Sequence, residues 1–495
     1  MTRATAVAVS TRKPKSSRAV APAKAKPDPK APISIIAACR DPKIFGPWFK
    51  DAESWSNWFT FLRALFGLEM SGSDLAAFRK FTGRSAPTQN GYLDATLIVG
   101  RRGGKSLVLA TIAAYIARFL DWRPFLTGGE RAVVLVLAAD KKQAQSIFRY
   151  LRDMLDIPML RGLITRETNE LLELANSVSI EVVTASYRTI RGRTVVAALC
   201  DELAFWRTDE GANPDSEIIA ALKPAMATVP GARLLKASSP YSRRGVLWND
   251  YRKHFGRDES ASLVWQGDTR SMNALVPESF IAAAIADDPE SAAAEYGAQF
   301  RSDVEAFISR EAVEACIMSG RFELAPLAFE THSAFVDPSG GSADSMTLAI
   351  VHRGGERVIV DAICEARPPF SPESVVSDFA ALLRSYGIKT VTGDRFAGEW
   401  PRERFFVHGI EYRVSEKSKS DLYRDMLPLI NGCRVGLLDH PRLIAQLCAL
   451  ERRTARGGRD SIDHPPGQHD DIANAVAGAV VMAASASRIP RLVFG

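Results

Sequence analysis

At 495 residues the chain is long enough for two domains with separate cores, and 46% hydrophobic with 24% charged residues excludes a wholly disordered or fibrous protein. Six cysteines without pairing spacing exclude a disulfide scaffold and indicate reduced thiols in a cytoplasm. The net charge of +6 does not signal a basic globular surface. Arg3, Arg12, Lys13, Lys15, Arg18, Lys24, Lys26 and Lys30 oppose only Asp28, so residues 1–30 alone carry +7.

In chain order, residues 1–33 form an Ala/Pro/Lys/Arg-rich tail expected to be disordered. It suits DNA phosphates by counterion release and a merely solubilising role equally well. No apolar core precedes a cleavage site, so the tail is not a secretory signal. Residues 34 to about 90 read as helical, with Trp48, Trp55 and Trp58 as core or lid aromatics.

Next comes Leu97-Ile98-Val99, then Gly100-Arg101-Arg102-Gly103-Gly104-Lys105-Ser106, then a helical pattern from Leu107 to Leu120. A strand, a glycine-rich turn and a helix opening on Lys-Ser are the parts of a phosphate cradle. Backbone N–H groups face the phosphates and the helix N-terminus adds favourable potential. Lys105 would neutralise the β- and γ-phosphates of ATP, and Ser106 would hold Mg²⁺. The usual spacing places a glycine at the position of Val99, so Gly100 comes one residue late. Ala132 to Ala139 reads as a second buried strand, followed by a helix start at Asp140, Lys141 and Gln143.

Val195 to Cys200 is a further buried-strand run, ending in Asp201-Glu202. Asp201 would hold Mg²⁺ through water and Glu202 would polarise the attacking water. Strands alternating with helices predict a doubly wound α/β domain. Leu234 to Ala237 leads into Ser238-Ser239-Pro240, where hydroxyls can sense the γ-phosphate and pass its loss onward. Arg188, Arg191 and Arg193 precede the Asp201 strand, and one of them could act as an arginine finger or all could line a solvated loop. Pro277 to Phe300 reads as helical, with a turn at Asp287-Asp288-Pro289.

The second half carries different chemistry. Ser333 to Val336 is strand-like and ends in Asp337-Pro338. Thr347–His352 and Val358–Ile363 alternate as paired strands, and Lys389 to Gly393 is another strand ending in Asp394. His469-Asp470-Asp471 precedes a small-residue helix from Ile472 to about Ala486, which is too short and too rich in Ala and Gly to span a bilayer. Carboxylates from two strand ends and a helix start could converge on two Mg²⁺ or Mn²⁺ ions, which activate water and stabilise a phosphodiester leaving oxygen. Oxygen ligands suit these metals, whereas zinc wants closely spaced Cys or His, which are missing. His469 could support a metal ligand or cap the helix at the surface. Arg452, Arg453, Arg456 and Arg459, with Lys417 and Lys419, are candidate DNA-backbone contacts.

On these motifs the chain resembles the large subunit of tailed-bacteriophage terminases, over roughly residues 40 to 490. The late, Arg-containing phosphate loop, the Asp201-Glu202 pair, the Ser238-Ser239-Pro240 segment and Asp337, Asp394 and Asp470 or Asp471 carry the resemblance. It implies an α/β P-loop ATPase domain over 34–300 and a linker over 301–328, then an RNase H-like nuclease domain over 329–495. It implies nucleotide contact by Arg101 and a trans-acting finger at Arg191, with Gly100, Arg102, Gly103 and Gly104 completing the cradle. Asp344 would be an auxiliary carboxylate, and either Asp470 or Asp471 the principal third metal ligand. The adenine-contacting segment should lie near Trp55 to Leu65. The implied partners are double-stranded DNA, a portal protein, a small terminase subunit and a homo-oligomeric ring on the procapsid, in the host cytoplasm and with no membrane. Two rivals are a helicase-like or repair ATPase fused to an RNase H-type nuclease without a capsid partner, and a non-enzymatic assembly factor.

Overall fold

The structure, a computed structural model, describes residues 31–139, 141–184, 190, 192–206, 214–327, 329–342, 344–394, 399–454, 460–465 and 468–485. The basic tail expected over 1–33 lies almost wholly outside them, and so does Asp140.

Eight strands build the first sheet: β1 (Asp94–Val99), β2 (Ala132–Ala138), β3 (Ile164–Glu167), β4 (Leu171–Leu174), β5 (Val178–Thr184), β6 (Thr194–Cys200), β7 (Arg233–Ser238) and β8 (Ser262–Gly267). Their order is β3-β4-β5-β2-β6-β7-β1-β8. The six from β5 to β8 run parallel, while β3 and β4 pair antiparallel at one edge. Runs such as Ala132–Ala138, buried along their whole length, are what a parallel sheet covered on both faces requires. The helix Lys105–Phe119 follows β1 and Lys141–Leu155 follows β2, as the doubly wound pattern predicts. The helices Ile35–Arg40, Ser56–Phe66 and Gly72–Thr82 form the expected lead-in, and Trp58 is fully buried in the core. Among the described residues no helix is long and apolar enough to cross a membrane.

The topology has one consequence for chemistry. β7 lies between the strand that feeds the phosphate loop and the strand that ends in Asp201. Its hydroxyl-bearing end therefore falls between the two halves of the site.

Two further sheets follow. In chain order the strands are β9 (Val304–Ala306), β10 (Ile317–Met318), β11 (His332–Asp337), β12 (Met346–Gly354), β13 (Arg357–Ala366), β14 (Thr390–Gly393), β15 (Glu411–Val414), β16 (Val435–Leu438), β17 (Glu451–Thr454) and β18 (Asp460–Asp463). The larger sheet has the order β10-β16-β13-β12-β11-β14-β15. β11, β12 and β13 form an antiparallel meander, and β14 and β15 add in parallel beyond β11, which is the RNase H-like arrangement. β9 pairs with β17, and Phe307, Ile308, Val313 and Cys316 enter the second core, so residues 304–316 of the expected linker are built into this half.

The helix Asp471–Ser485 crosses β11 and β12. A Cβ on Gly478 would run into the Phe335 ring, so the missing side chain is what lets the helix settle on the sheet. That contact places the helix start beside the strand ends that carry Asp337 and Asp394.

Candidate nucleotide and nuclease sites

The phosphate loop is held from both sides. The Trp58 indole donates to Gly103 O at 2.8 Å, Thr269 Oγ1 donates to Arg101 O at 2.8 Å, and Asn273 Nδ2 donates to Arg102 O at 2.8 Å. Gly104 has φ +96°, where a side chain is strained, and a Cβ there would press on the Trp55 and Trp58 rings at 3.1 Å. Arg101 pairs with Glu295 at 3.1 Å and is largely exposed.

The four residues expected to do the chemistry come together. Lys105 Nζ donates to Val99 O at 2.9 Å and lies 3.5 Å from Glu202 Oε1. Ser106 Oγ reaches Asp201 Oδ2 at 3.5 Å. Ser238 Oγ donates to Glu202 Oε2 at 3.2 Å, and the Ser239 N–H reaches the same oxygen at 3.3 Å. Thus the Ser238 hydroxyl of β7 touches Glu202, the expected base, directly. Glu202 has φ 49° and ψ 44°, a left-handed conformation that costs a non-glycine residue on the order of 1–3 kcal/mol and concentrates at functional sites.

Asp201 is 4% exposed. Burial, and then the Glu202 charge, push its carboxyl up to about 7 against the pull of Lys105. Its Oδ1 is buried without a hydrogen-bond partner among the described residues. A spare acceptor beside a serine hydroxyl fits Mg²⁺ and its waters. Arg191, the expected finger, lies outside the described residues, as does Arg188. Arg193 is engaged with Glu181 at 2.7 Å.

The second site sits at the carboxyl ends of β11 and β14. These strands are parallel neighbours with Val336 opposite Gly393, so Asp337 and Asp394 emerge side by side. Asn474 Nδ2 donates to both, at 2.9 Å to Asp337 Oδ2 and 2.6 Å to Asp394 Oδ2. Asp470 and Asp471 face different neighbours. Asp470 accepts from Tyr423 at 2.7 Å and from Lys419 at 3.2 Å, and with Asp463 and His464 it forms a compact ligand cluster. Asp471 accepts from the Ser345 N–H at 3.3 Å and clusters with Asp344 and His469, whose side chains lie 3.0 Å apart.

Electrostatics tie these carboxylates into one site. Burial pushes Asp337 well above the usual carboxylate range, and Asp394, Asp471 and Asp470 push it further, while the Asn474 hydrogen bond opposes them. Burial likewise raises Asp394, and burial with the Asp470 charge lifts Asp471 to about 6. Carboxylates crowded until they resist ionisation are a donor set short of positive charge, which divalent ions bound through oxygen would supply.

No protein-family model matches the chain, and no curated protein matches it. Among solved structures it is similar to the large terminase of bacteriophage HK97, at 17% identity over 86% of this chain and 94% of that one, with a TM-score of 0.37. It is similar to the large terminase of a thermophilic bacteriophage at 12% identity, over 86% and 98% of the two chains, TM-score 0.38. The large terminase nuclease of a further thermophilic phage, G20c, matches 34% of this chain and 94% of its own at 17% identity, TM-score 0.31. These neighbours are large terminases. The second of them has also been solved with ADP and the G20c nuclease with magnesium.

Sequence reasoning missed the groups that hold the carboxylates. Asn474 lies three residues after Asp471 and four after Asp470, the spacing that places side chains on one helix face. Lys419, read as a candidate DNA contact, is turned inward between Asp463 at 2.7 Å and Asp470. Of the arginines proposed for DNA, Arg452 lies 3.7 Å from Asp460 and Arg453 donates to His464 O at 2.9 Å. Arg456 and Arg459 lie outside the described residues.

Proposed function

We propose that the chain is a viral DNA-packaging motor, the large subunit of a terminase, which hydrolyses ATP to move double-stranded DNA into a procapsid and cuts concatemeric DNA at a second site. One observation carries this reading. A single chain presents a phosphate loop facing Asp201 and Glu202 and, on a separate RNase H-like sheet, a cluster of four carboxylates.

In the first site Lys105 and the loop from Gly100 to Gly104 would bind the phosphates of ATP, although the Gly100, Arg101 and Gly103 N–H groups already donate to Gly267 O, Glu295 O and Gly100 O. Ser106 and Asp201 would hold Mg²⁺, and Glu202 would take the proton from the attacking water. Ser238 and Ser239, bonded to Glu202, would report loss of the γ-phosphate to the chain beyond β7. Arg101 would turn from Glu295 toward nucleotide, and Arg191 would reach the site of a neighbour in a ring.

In the second site Asp337, Asp394, Asp470 and Asp471 would hold two Mg²⁺ or Mn²⁺ ions. Bound there, such ions lower the pKa of water and neutralise charge on the leaving oxygen. Asn474 keeps the Asp337 and Asp394 carboxylates aligned, and Lys419 with Tyr423 fixes Asp470. Contacts to the DNA backbone would position the duplex without reading its sequence. The partners in this reading are a portal protein and a small terminase subunit.

The test compares plasmid cleavage in Mn²⁺ or Mg²⁺ by wild type, Asp337→Asn and Lys105→Ala, alongside ATP hydrolysis by the same proteins. Wild type and Lys105→Ala should cut and Asp337→Asn should not, while only Lys105→Ala should lose hydrolysis. Equal cutting by all three would remove the carboxylate assignment. Failure of a purified portal to stimulate hydrolysis would favour a repair-type ATPase.

A further inference from the structure

A second cluster of titratable groups lies at the other end of β11, five residues before Asp337 and roughly 17 Å away along the strand. His332 on β11 pairs directly with His352 on β12, so both imidazoles project from one face of the sheet, with ring centroids 5.8 Å apart. β13 contributes the third group through a defect in its pairing. Ile350 lies opposite Ala362 and Val351 opposite Val360, which leaves Asp361 as the extra residue of a bulge. Bulges re-aim side chains, and this one brings the Asp361 carboxylate between the two rings.

The cluster is sealed from solvent. Asp361 is fully buried, His352 is 7% exposed, and the His332 side chain is 3% exposed. His352 Nδ1 lies 2.7 Å from Asp361 Oδ1, and His332 Nε2 lies 3.9 Å from Asp361 Oδ2. Those last two atoms are buried without a hydrogen-bond partner among the described residues. Two orphaned polar atoms facing each other in a core are expensive, and each ordinarily costs on the order of 1–3 kcal/mol. Something that accepts both lone pairs would remove the penalty.

From this geometry we infer a divalent metal site, for zinc, held by His332, His352 and Asp361. Two imidazoles and one carboxylate are zinc donors, and the ligand atoms already lie within 4.8 Å of one another. Tetrahedral zinc holds its ligands roughly 3.3–3.6 Å apart, given bonds of about 2.0–2.2 Å. Closing the His332–Asp361 side and opening the His352–Asp361 side by less than about 1 Å brings both to that spacing. His352 then binds through Nδ1, and its proton resides on Nε2. The Glu330 carboxylate adds negative charge nearby.

The site's role follows from what it touches. The Leu324 N–H donates to Asp361 O at 2.7 Å, and the Tyr386 hydroxyl, whose ring stacks edge-on against His332, donates to Leu324 O. A metal here would staple three strands together where the segment leading into β11 lies against β13. It would act on stability and leave the carboxylate site at the far end of β11 to its own ions.

The test uses the full chain in the Asp337→Asn background, which weakens metal binding at the other site. The protein is stripped with chelator, titrated with Zn²⁺, and read by elemental analysis after gel filtration and by Co²⁺ substitution. About one tightly held zinc per chain and the intense visible absorption of four-coordinate Co²⁺ are expected. Asp361→Asn, close to isosteric, should weaken the affinity at least tenfold, and His332→Ala should remove the absorption. A stripped protein that takes up no zinc, or Asp361→Asn and His332→Ala variants that bind it as tightly as their parent, would overturn the site and leave a hydrogen-bonded core cluster.

Discussion

The hydroxyl of Tyr241, three residues beyond Ser238, donates at 2.9 Å to Glu451, a fully buried carboxylate on β17 in the other half of the chain. Arg244 pairs with the second oxygen of the same carboxylate, and Arg453 approaches from β17 itself at 3.4 Å. The Arg301 N–H closes the link by donating to Tyr241 O at 2.8 Å. The segment that touches Glu202 at one end is therefore anchored to the second half of the chain at the other.

Glu451→Ala should leave Arg244 facing a buried void and destabilise the junction by roughly 3–5 kcal/mol. Differential scanning calorimetry is expected to show one transition for the wild type and two for the variant. Tyr241→Phe removes one hydrogen bond to a charged group, worth roughly 1.5–3 kcal/mol, and should shift the melt without splitting it.

Glu202→Gln keeps the hydrogen-bonding shape of the side chain but removes the base. ATP turnover should fall by roughly 10²–10⁴-fold while nucleotide affinity is retained. Fluorescent-nucleotide titration beside a phosphate-release assay separates the two. Lys105→Ala should lose affinity as well as turnover.

Asn474→Ala takes away the amide that bridges Asp337 and Asp394 but leaves every carboxylate in place. Mn²⁺ binding, followed by the electron paramagnetic resonance of the free ion, should weaken by roughly 10-fold, as for groups that orient metal ligands. Cleavage should fall in parallel, with circular dichroism unchanged. Unaltered Mn²⁺ affinity would make Asn474 a packing residue only.

The metal-free protein should lose stability as pH rises. Asp201 sits at about 7 and Asp471 at about 6 when folded, both above the ordinary Asp value of 3.8, and Asp337 and Asp394 are raised too. The folded state thus holds protons that the unfolded chain has released, so the Asp201 and Asp471 contributions are full below about pH 4 and gone above about pH 7. Asp471 alone accounts for up to about 3 kcal/mol of this slope. Urea denaturation at pH 5 and pH 8 should show it, with Asp471→Asn flatter and divalent metal reversing the trend at high pH.

Much of the first half was legible because its signals are local. Leu97 to Ser106 and Val195 to Glu202 are continuous strings whose burial and turn chemistry specify strand, loop and helix without outside help. The edge strands β3 and β4 escaped notice because residues such as Thr165, Arg166 and Glu167 are exposed and carry no apolar alternation. In the second half the three strand-end and helix-start acids could be named, but not what holds them. Asn474, Lys419 and Tyr423 reach the acids through helix packing and a register set by Gly478 against Phe335, and neither is written in any short window. The same limit hid His332, His352 and Asp361, twenty and nine residues apart, until strand pairing and a bulge removed the distance.

The pairing of Lys105 with Glu202 gives the lysine a counter-ion of the protein's own. A lysine that already faces a carboxylate offers little to stray phosphate, whereas a nucleotide that also engages the loop and Mg²⁺ would have the contacts to take the lysine over. Under the proposed reading Glu202 would compete again for Lys105 after hydrolysis, as a rival to the departing anion fixed 3.5 Å away. Ser238 and Ser239 are bonded to Glu202, so under the proposed reading the contest would be felt on β7. Resetting is then built into the Lys105–Glu202 contact rather than being a separate step, and ADP should dwell longer on Glu202→Gln than on the wild type in stopped-flow release.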